Sequence, residues 1–486
     1  MRPAVVILLD GASWNVLVPL LEEGRLPNIR ELMKKGAYGP LRSVLPVNTI
    51  PAWLCYATGK SPGSLRIYDF FTLDMKKKTC RLSPFREKTI WDYVSEHGMR
   101  FCVYKFRAPP TISADTRKGC LILDNPYRGV LPRGLKTELE AKFGKFYLEP
   151  RYAIEREGTF RNVMKLVDKD FEIMKYLIEK YDPSFAHMGI AYTDGVQHYY
   201  WRDMEEGDPI YGDRIAQLWA KIDEHIGLFT DFLESKYGHD FHLFMISDHG
   251  FMGADYAFNI GKWLVEKGYL RLSKNALLAK LLLKMPGYNL IHKLIEFYRY
   301  RLRVIGDINR PLTDAGLKRL NLSVIDWDRS LVIPLTGELL FINRTLFPSS
   351  RKAREFAREL ADQIRDIITP GGYKLIKFIT LGRELYPNDK NAPDIIAYYQ
   401  RTDVYNAPLM DLLWTKLAEG CWTGTHSLYG VLIAHGPSIR KGKMITGARL
   451  IDIAPTVLHL LGLPMPRDID GRVLDDMLKE RKGPAG

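Results

Sequence analysis

The sequence predicts an α/β fold in which a mostly parallel central sheet is covered by helices on both faces. Three observations carry that prediction. Residues 5–9, 184–191 and 241–246 are largely apolar runs of strand length, as expected for strands buried on both sides. Residues 163–181 and 215–233 repeat apolar side chains at helical spacing: Val163, Leu166, Val167, Phe171, Met174, Leu177 and Ile178, then Ile215, Leu218, Trp219, Ile222, Ile226, Phe229 and Leu233. The strand-like runs end in Asp10-Gly11, in Tyr192-Thr193-Asp194 and in Ser247-Asp248-His249-Gly250. In open α/β sheets, ligands collect outside the carboxyl ends of the strands.

Composition sets the outer bounds. The chain has 486 residues, 46% of them hydrophobic and 26% charged, enough for a large core and ordinary for a globular protein. The formal net charge is +13, which suits anionic partners such as phosphate esters, nucleic acid or a lipid surface, or simply a solvated exterior. Cys55, Cys80, Cys102, Cys120 and Cys421 are scattered, with no CxxC pair. That pattern argues for a reducing compartment, and a cytoplasmic location is the expectation. The opening apolar run is too short for a signal peptide and reads as a strand, and no stretch reaches the roughly 18 apolar residues of a membrane span.

The elements follow in chain order. Leu26-Pro27-Asn28 opens a helix over 29–35, which Gly36 closes. Pro51 falls where a first helical turn tolerates proline, so Thr49 lies at or near an N-cap. Gly59-Lys60-Ser61 lacks the glycine spacing of a phosphate loop and is rejected as one. A strand is expected over 101–104. Residues 119–150 are rich in Gly, Pro and Tyr, and 110–160 is read as a loop insert over the site. Residues 276–305 form a basic amphipathic segment, within a helical insert or cap at 270–325. This segment is expected to pack on the body, the alternatives being contact with an anionic membrane surface or a grip on an anionic substrate. Two strand-like runs within 326–343, a helix over 353–368 and a strand at 392–397 come next. Thr423-Gly424-Thr425-His426 precedes a last strand over 431–434, and its histidine is a candidate last ligand, a plain turn histidine being the alternative. His435 and His459 are nearby alternatives, the latter at core spacing.

Seven strand-end groups stand out as candidate ligands: Asp10, Thr49, Asp194, His198, Asp248, His249 and His426. Asp194 and His198 are four apart and share one face of a helical turn. Carboxylate and neutral imidazole are ordinary zinc ligands, and carboxylate also suits manganese. The groups divide into Asp194, His198 and His426 on one side and Asp10, Asp248, His249 and the Thr49 oxygen on the other. Two metals about 4 Å apart clamp the attacking and leaving sides of a phosphoryl displacement. A threonine hydroxyl is a weak nucleophile until a base or metal activates it, and no protein base is evident beside Thr49.

These motifs, in this order, resemble the alkaline phosphatase superfamily, and within it the type I phosphodiesterase/nucleotide pyrophosphatase branch. The resemblance spans nearly the whole chain. It rests on Val6-Ile7-Leu8-Leu9-Asp10-Gly11, Thr49-Ile50-Pro51-Ala52-Trp53, Thr58-Gly59 with Pro62-Gly63, and Asp194-Gly195-Val196-Gln197-His198 with Trp201. Ser247-Asp248-His249-Gly250, Gly424-Thr425-His426, Gly436-Pro437 and Asp452-Ile453-Ala454-Pro455-Thr456 complete it. It implies a single alkaline-phosphatase-like domain over 1–486, a three-layer sandwich holding two zinc or similar ions. Well-studied members carry an asparagine where this chain has Ala52. Asn48, on the other side of Thr49, is the candidate substrate contact.

The expected function is a two-metal phosphodiesterase or nucleotide pyrophosphatase acting on a small phosphate ester through phospho-threonine. A phosphomonoesterase or phosphotransferase on the same site is the alternative. From another class, the alternative is a non-catalytic basic protein that docks on anionic lipid or nucleic acid through 276–305. Specific nucleic-acid binding is not expected, and the sequence leaves the oligomeric state open.

Overall fold

The computed structural model describes residues 2–107, 116–124, 129–147, 155–274, 276, 318–319, 321–418 and 422–480. The basic segment 276–305, apart from residue 276, lies outside these residues, as does most of the expected insert at 270–325.

The central sheet is built from β1 (Ala4–Leu9), β2 (Ala37–Arg42), β3 (Phe101–Phe106), β4 (Gly119–Leu123), β5 (Phe185–Ile190) and β6 (His242–Ile246). Two strands, β7 (Gly250–Gly253) and β8 (Gly424–Ser427), pair with each other beside it, and β9 (Tyr429–His435) returns to it. Across the sheet the order is β2-β9-β6-β1-β5-β3-β4, with short strands added at the edges. From β6 to β4 all neighbours are parallel, while β9 runs antiparallel to both β6 and β2.

The alternation of side chains along a strand produces the sandwich. Val5, Ile7 and Leu9 of β1 enter one apolar core, and Ala4, Val6 and Leu8 enter the other. Both sets are buried, which is why the sequence reads as an unbroken apolar run. The first core is closed by helices Trp14–Glu22, Pro27–Lys35, Arg156–Tyr181, Tyr192–Glu206 and Arg214–Tyr237. The second is closed by Thr49–Thr58, Ile90–Glu96 and Ile453–Leu460. Each fully buried Leu, Ile or Phe in these layers contributes about 2 kcal/mol.

A third core gathers a four-stranded antiparallel sheet (Val332–Pro334, Leu339–Ile342, Ile395–Tyr399 and Ile376–Leu381) and the helix Ser350–Arg365. It includes Leu45, Val47, Tyr68 and Phe71 of the main body, so this layer rests beside the start of the Thr49–Thr58 helix. Tyr386 donates its hydroxyl to the Leu45 carbonyl at 2.6 Å, and Tyr68 donates to Asp389 at 2.7 Å.

One expectation is corrected. Residues 119–147 are not a run of loops over the site. Gly119–Leu123 is a strand of the central sheet and Leu135–Phe143 is a helix whose Leu135 and Leu139 are buried. The apolar tetrad Cys120-Leu121-Ile122-Leu123 is short enough to be hidden by the glycines and prolines around it. Gly119 itself is needed because a Cβ there would stand 1.9 Å from the Phe101 carbonyl oxygen.

Candidate metal centre

Strand register brings the first two carboxylates together. Leu8 of β1 pairs with Ile246 of β6, so Asp10 and Asp248, each two residues further on, leave adjacent strand ends side by side. Gly11 makes this possible. Its φ of +71° turns the chain, its N–H donates to Asp248 Oδ1 at 3.0 Å, and a Cβ would stand 2.8 Å from the Phe251 ring. The neighbouring strand β5 delivers the helix Tyr192–Glu206, whose first turns carry Asp194 and His198 on one face.

His426 arrives from a distance. It lies on β8, opposite Phe251 of β7. Gly424 permits this, since a Cβ there would meet the Phe251 ring at 2.5 Å and the Gln197 carbonyl oxygen at 2.6 Å. The Thr49–Thr58 helix is capped by Asn48, whose Oδ1 accepts the Ile50 N–H at 3.3 Å. Asparagine outranks threonine as a cap. The Thr49 side chain is thereby released from capping and sits 3.4 Å from His249 Nε2.

The donor atoms form two contiguous groups. Asp194 Oδ1 is 3.2 Å from His198 Nε2 and 3.1 Å from His426 Nε2, and the two nitrogens are 3.3 Å apart. Asp10 Oδ1 and Asp248 Oδ2 are 3.4 and 3.3 Å from His249 Nε2. Asp10, Asp248 and His249 are one group able to hold an ion, and Asp194, His249 and His426 are another. His249 belongs to both, and its ring stacks on that of His426 with centroids 3.7 Å apart. Tetrahedral bonds of 2.0–2.1 Å place ligand atoms about 3.3 Å from one another, which is the spacing found here.

Hydrogen bonds behind the groups fix their orientation. The Nδ1 atoms of His198, His249 and His426 face the carbonyl oxygens of Gly424, Gly250 and Val47 at 2.7, 3.0 and 3.1 Å. A carbonyl only accepts, so each Nδ1 carries the proton and each Nε2 lone pair points inward. Trp53 Nε1 donates to Asp248 Oδ2 at 3.1 Å.

Electrostatics make the same demand. Burial pushes Asp10 well above the usual carboxylate range, and Asp248 and Asp194 add to the shift. Burial also raises Asp248, to about 6. Burial opposes ionisation of Asp194, but His198 and His426 outweigh it and hold that carboxyl well below its ordinary value. Burial drives His249 well below the usual imidazole range, and the nearby His426 adds to this. Among the described residues, Asp10 Oδ1 is buried without a hydrogen-bond partner. Three carboxylates, one with an orphaned oxygen, and three inward imidazole lone pairs suit divalent cations.

All seven expected ligand residues therefore meet at one carboxyl edge of the sheet. Asn48 stands at its rim, with Nδ2 3.4 Å from Asp69 Oδ2. The alternatives lie elsewhere. His435 Nδ1 faces the Lys35 carbonyl, and His459 sits on the Ile453–Leu460 helix. Lys60 pairs with Glu87 and Asp468, in keeping with the rejection of a phosphate loop. Sequence reasoning missed the role of Trp53 and missed Arg107, whose Nη1 is 3.5 Å from Asp10 Oδ2. The available signal was a charged residue just past the apolar run of β3.

Among the described residues, no helix is long and apolar enough to cross a membrane. No curated protein matches the chain. The model of the family described as type I phosphodiesterase / nucleotide pyrophosphatase matches residues 4–305. That range holds Asp10, Thr49, Asp194, His198, Asp248 and His249, while His426 and the third core's sheet lie beyond it. The chain therefore belongs to the type I phosphodiesterase/nucleotide pyrophosphatase family of phosphoric ester hydrolases, within the alkaline phosphatase superfamily.

Proposed function

We propose that the protein hydrolyses a small phosphate diester or pyrophosphate through a phospho-threonine formed on Thr49, with two divalent metal ions, zinc or manganese, in the two donor groups. The observation that carries this reading is the placement of a buried threonine oxygen 3.4 Å from the histidine that both groups share. Asp10, Asp248 and His249 form one ligand set. Asp194, His198 and His426 form the other, and His249 stands at their border. The ions, when bound, lower the pKa of the Thr49 hydroxyl and neutralise charge on the phosphoryl oxygens.

The chain's own groups do the rest. Thr49 Oγ1 attacks phosphorus and gives its proton to solvent, while the ester oxygen on the opposite side leaves with the P–O electron pair and takes a proton from solvent. Water then cleaves the phospho-threonine, returning the hydroxyl to Thr49 and releasing phosphate or a phosphomonoester. The start of the Thr49–Thr58 helix offers a positive dipole end to the phosphoryl oxygens. Asn48 spends its Oδ1 on the cap and one Nδ2 hydrogen on Asp69, which leaves the second Nδ2 hydrogen for a phosphoryl oxygen. The buried Trp53 ring borders Asp248, and the buried Phe251 ring borders His198, His249 and His426. A cytoplasmic setting belongs to the same proposal and rests on the scattered cysteines.

The test is turnover of bis-p-nitrophenyl phosphate, a nucleotide pyrophosphate and p-nitrophenyl phosphate with added zinc or manganese. Diester and pyrophosphate cleavage should exceed monoester cleavage, stop with chelator, and fall by orders of magnitude in Thr49→Ala at unchanged metal content. Full turnover by that variant removes Thr49 as nucleophile.

A further inference from the structure

Strand β3 does not run straight to its carboxyl end. Its pairing with β4 slips between Val103 and Phe106, and Lys105 in the slip has φ of +57°, a left-handed conformation for a residue that is not glycine. Such a residue costs on the order of 1–3 kcal/mol and persists only when its surroundings hold it. Two features hold it here. Lys105 Nζ lies 2.7 and 2.8 Å from the two oxygens of buried Asp170. On the neighbouring strand β5, Gly189 clears the space, because a Cβ there would stand 2.2 Å from the Lys105 carbonyl oxygen.

The consequence falls two residues on, at Arg107. Strand β3 is not adjacent to β1, since β5 lies between them. Yet Arg107 Nη1 reaches to 3.5 Å from Asp10 Oδ2, on the far side of β5. Its Nε is 3.5 Å from Asp124 Oδ2, an ion pair without a hydrogen bond, so a second carboxylate faces the guanidinium. Asp124 is itself tied to β3 through its N–H, which donates to the Phe106 carbonyl at 2.9 Å. The other Asp10 oxygen, Oδ1, is the one without a hydrogen-bond partner that faces His249. Bulges beside active sites commonly re-aim a side chain.

We propose that the bulge at Lys105 is a positioning device. It carries Arg107 across β5 so that the guanidinium holds the outer oxygen of Asp10 and leaves the inner oxygen for the metal. This inference rests on the two-metal reading above. Arg107 acts through Asp10 and is a positioning residue. It also supplies the fixed positive charge facing the site's excess of carboxylates, and Asp124 prevents that charge from swinging inward to compete with the ion.

Zinc titration of the full chain against a chromophoric chelator tests this, with wild type, Arg107→Gln and Arg107→Lys compared. Outer-shell partners of metal ligands are worth roughly 10–100-fold in affinity. Arg107→Gln should weaken one of the two binding steps by about that factor and leave the other within about twofold, while the metal-free melting temperature stays unchanged. Arg107→Lys should recover part of the loss, because it keeps the charge but cannot bridge two carboxylates. Two unaltered binding steps in Arg107→Gln, or tighter binding, would overturn the inference alone. A wild-type protein that takes up no zinc would overturn the two-metal reading and the inference together.

Discussion

Two clusters of buried charge share the central sheet and treat that charge in opposite ways. At the end of β3, Asp170 accepts both contacts of Lys105 and the Tyr104 hydroxyl at 2.7 Å. Nothing there is left over. Burial lifts Asp170 to about 6, opposed by the Lys105 charge. At the ends of β1 and β6, Asp10 and Asp248 are just as buried, but among the described residues Arg107 touches Asp10 only at 3.5 Å, and one Asp10 oxygen has no hydrogen-bond partner. A buried pair that satisfies itself is part of the scaffold. A buried cluster that cannot do so suits a divalent cation.

The largest expected effects exchange the two clusters. Asp10→Asn should cut diester turnover at least about 100-fold, since even outer-shell partners of a metal cost that much, while leaving the metal-free protein as stable or more so. Asp170→Asn should do the reverse. It strands Lys105 and costs on the order of 3 kcal/mol in urea unfolding, while zinc uptake persists. If both variants lose stability alike, the contrast between the clusters fails.

The next effect concerns pH. Asp248, raised to about 6 when the site holds no metal, is favoured protonated, so its contribution to metal-free stability is present below pH 4 and is lost as pH rises to 6. Metal binding needs the ionised carboxylate. The rise in melting temperature caused by zinc should therefore grow from pH 4 to pH 6. A zinc shift that is flat over that window would argue against Asp248 as a ligand.

A smaller effect sets the core histidine apart from the site histidines. His187 packs among Trp53, Tyr56 and Phe106, and burial lowers its pKa to about 3. Below its unfolded value of about 6.5 the unfolded chain binds the extra proton, so stability falls as pH drops from there toward 3. By pH 5 the loss from this group alone is about 2 kcal/mol, and His187→Gln should flatten the slope by that amount. The smallest effect separates the two duties of Asn48. Asn48→Ala should cost about 1 kcal/mol through the lost cap, whereas Asn48→Ser keeps the cap and should raise KM with stability intact. Equal KM in Asn48→Ser and wild type would leave Asn48 as a cap alone.

Much of the sheet was legible because burial on both faces writes itself into the chain as continuous apolar runs. The strand ends were legible because Asp10 and Asp248 each interrupt such a run just before a glycine or a histidine-glycine pair. Other features depend on contacts far apart in sequence. The pairing of β7 with β8 places His426 on a strand, and only the Gln197 and Phe251 neighbours of Gly424 reveal why. The choice of Asn48 over Thr49 as cap turns on one residue's backbone angles. Strand β4 hides in four residues among glycines and prolines. Arg107 was invisible because its partner sits two strands away, beyond a bulge that no local pattern announces.

The central claim is that seven side chains hold two ions on either side of His249. The most direct measurement is an anomalous difference map at the zinc edge from crystals grown with zinc. The account predicts two peaks about 4 Å apart, one against Asp10, Asp248 and the Thr49 oxygen, the other against Asp194, His198 and His426. A single peak, or peaks that leave Asp10 or His426 without an ion, would contradict it.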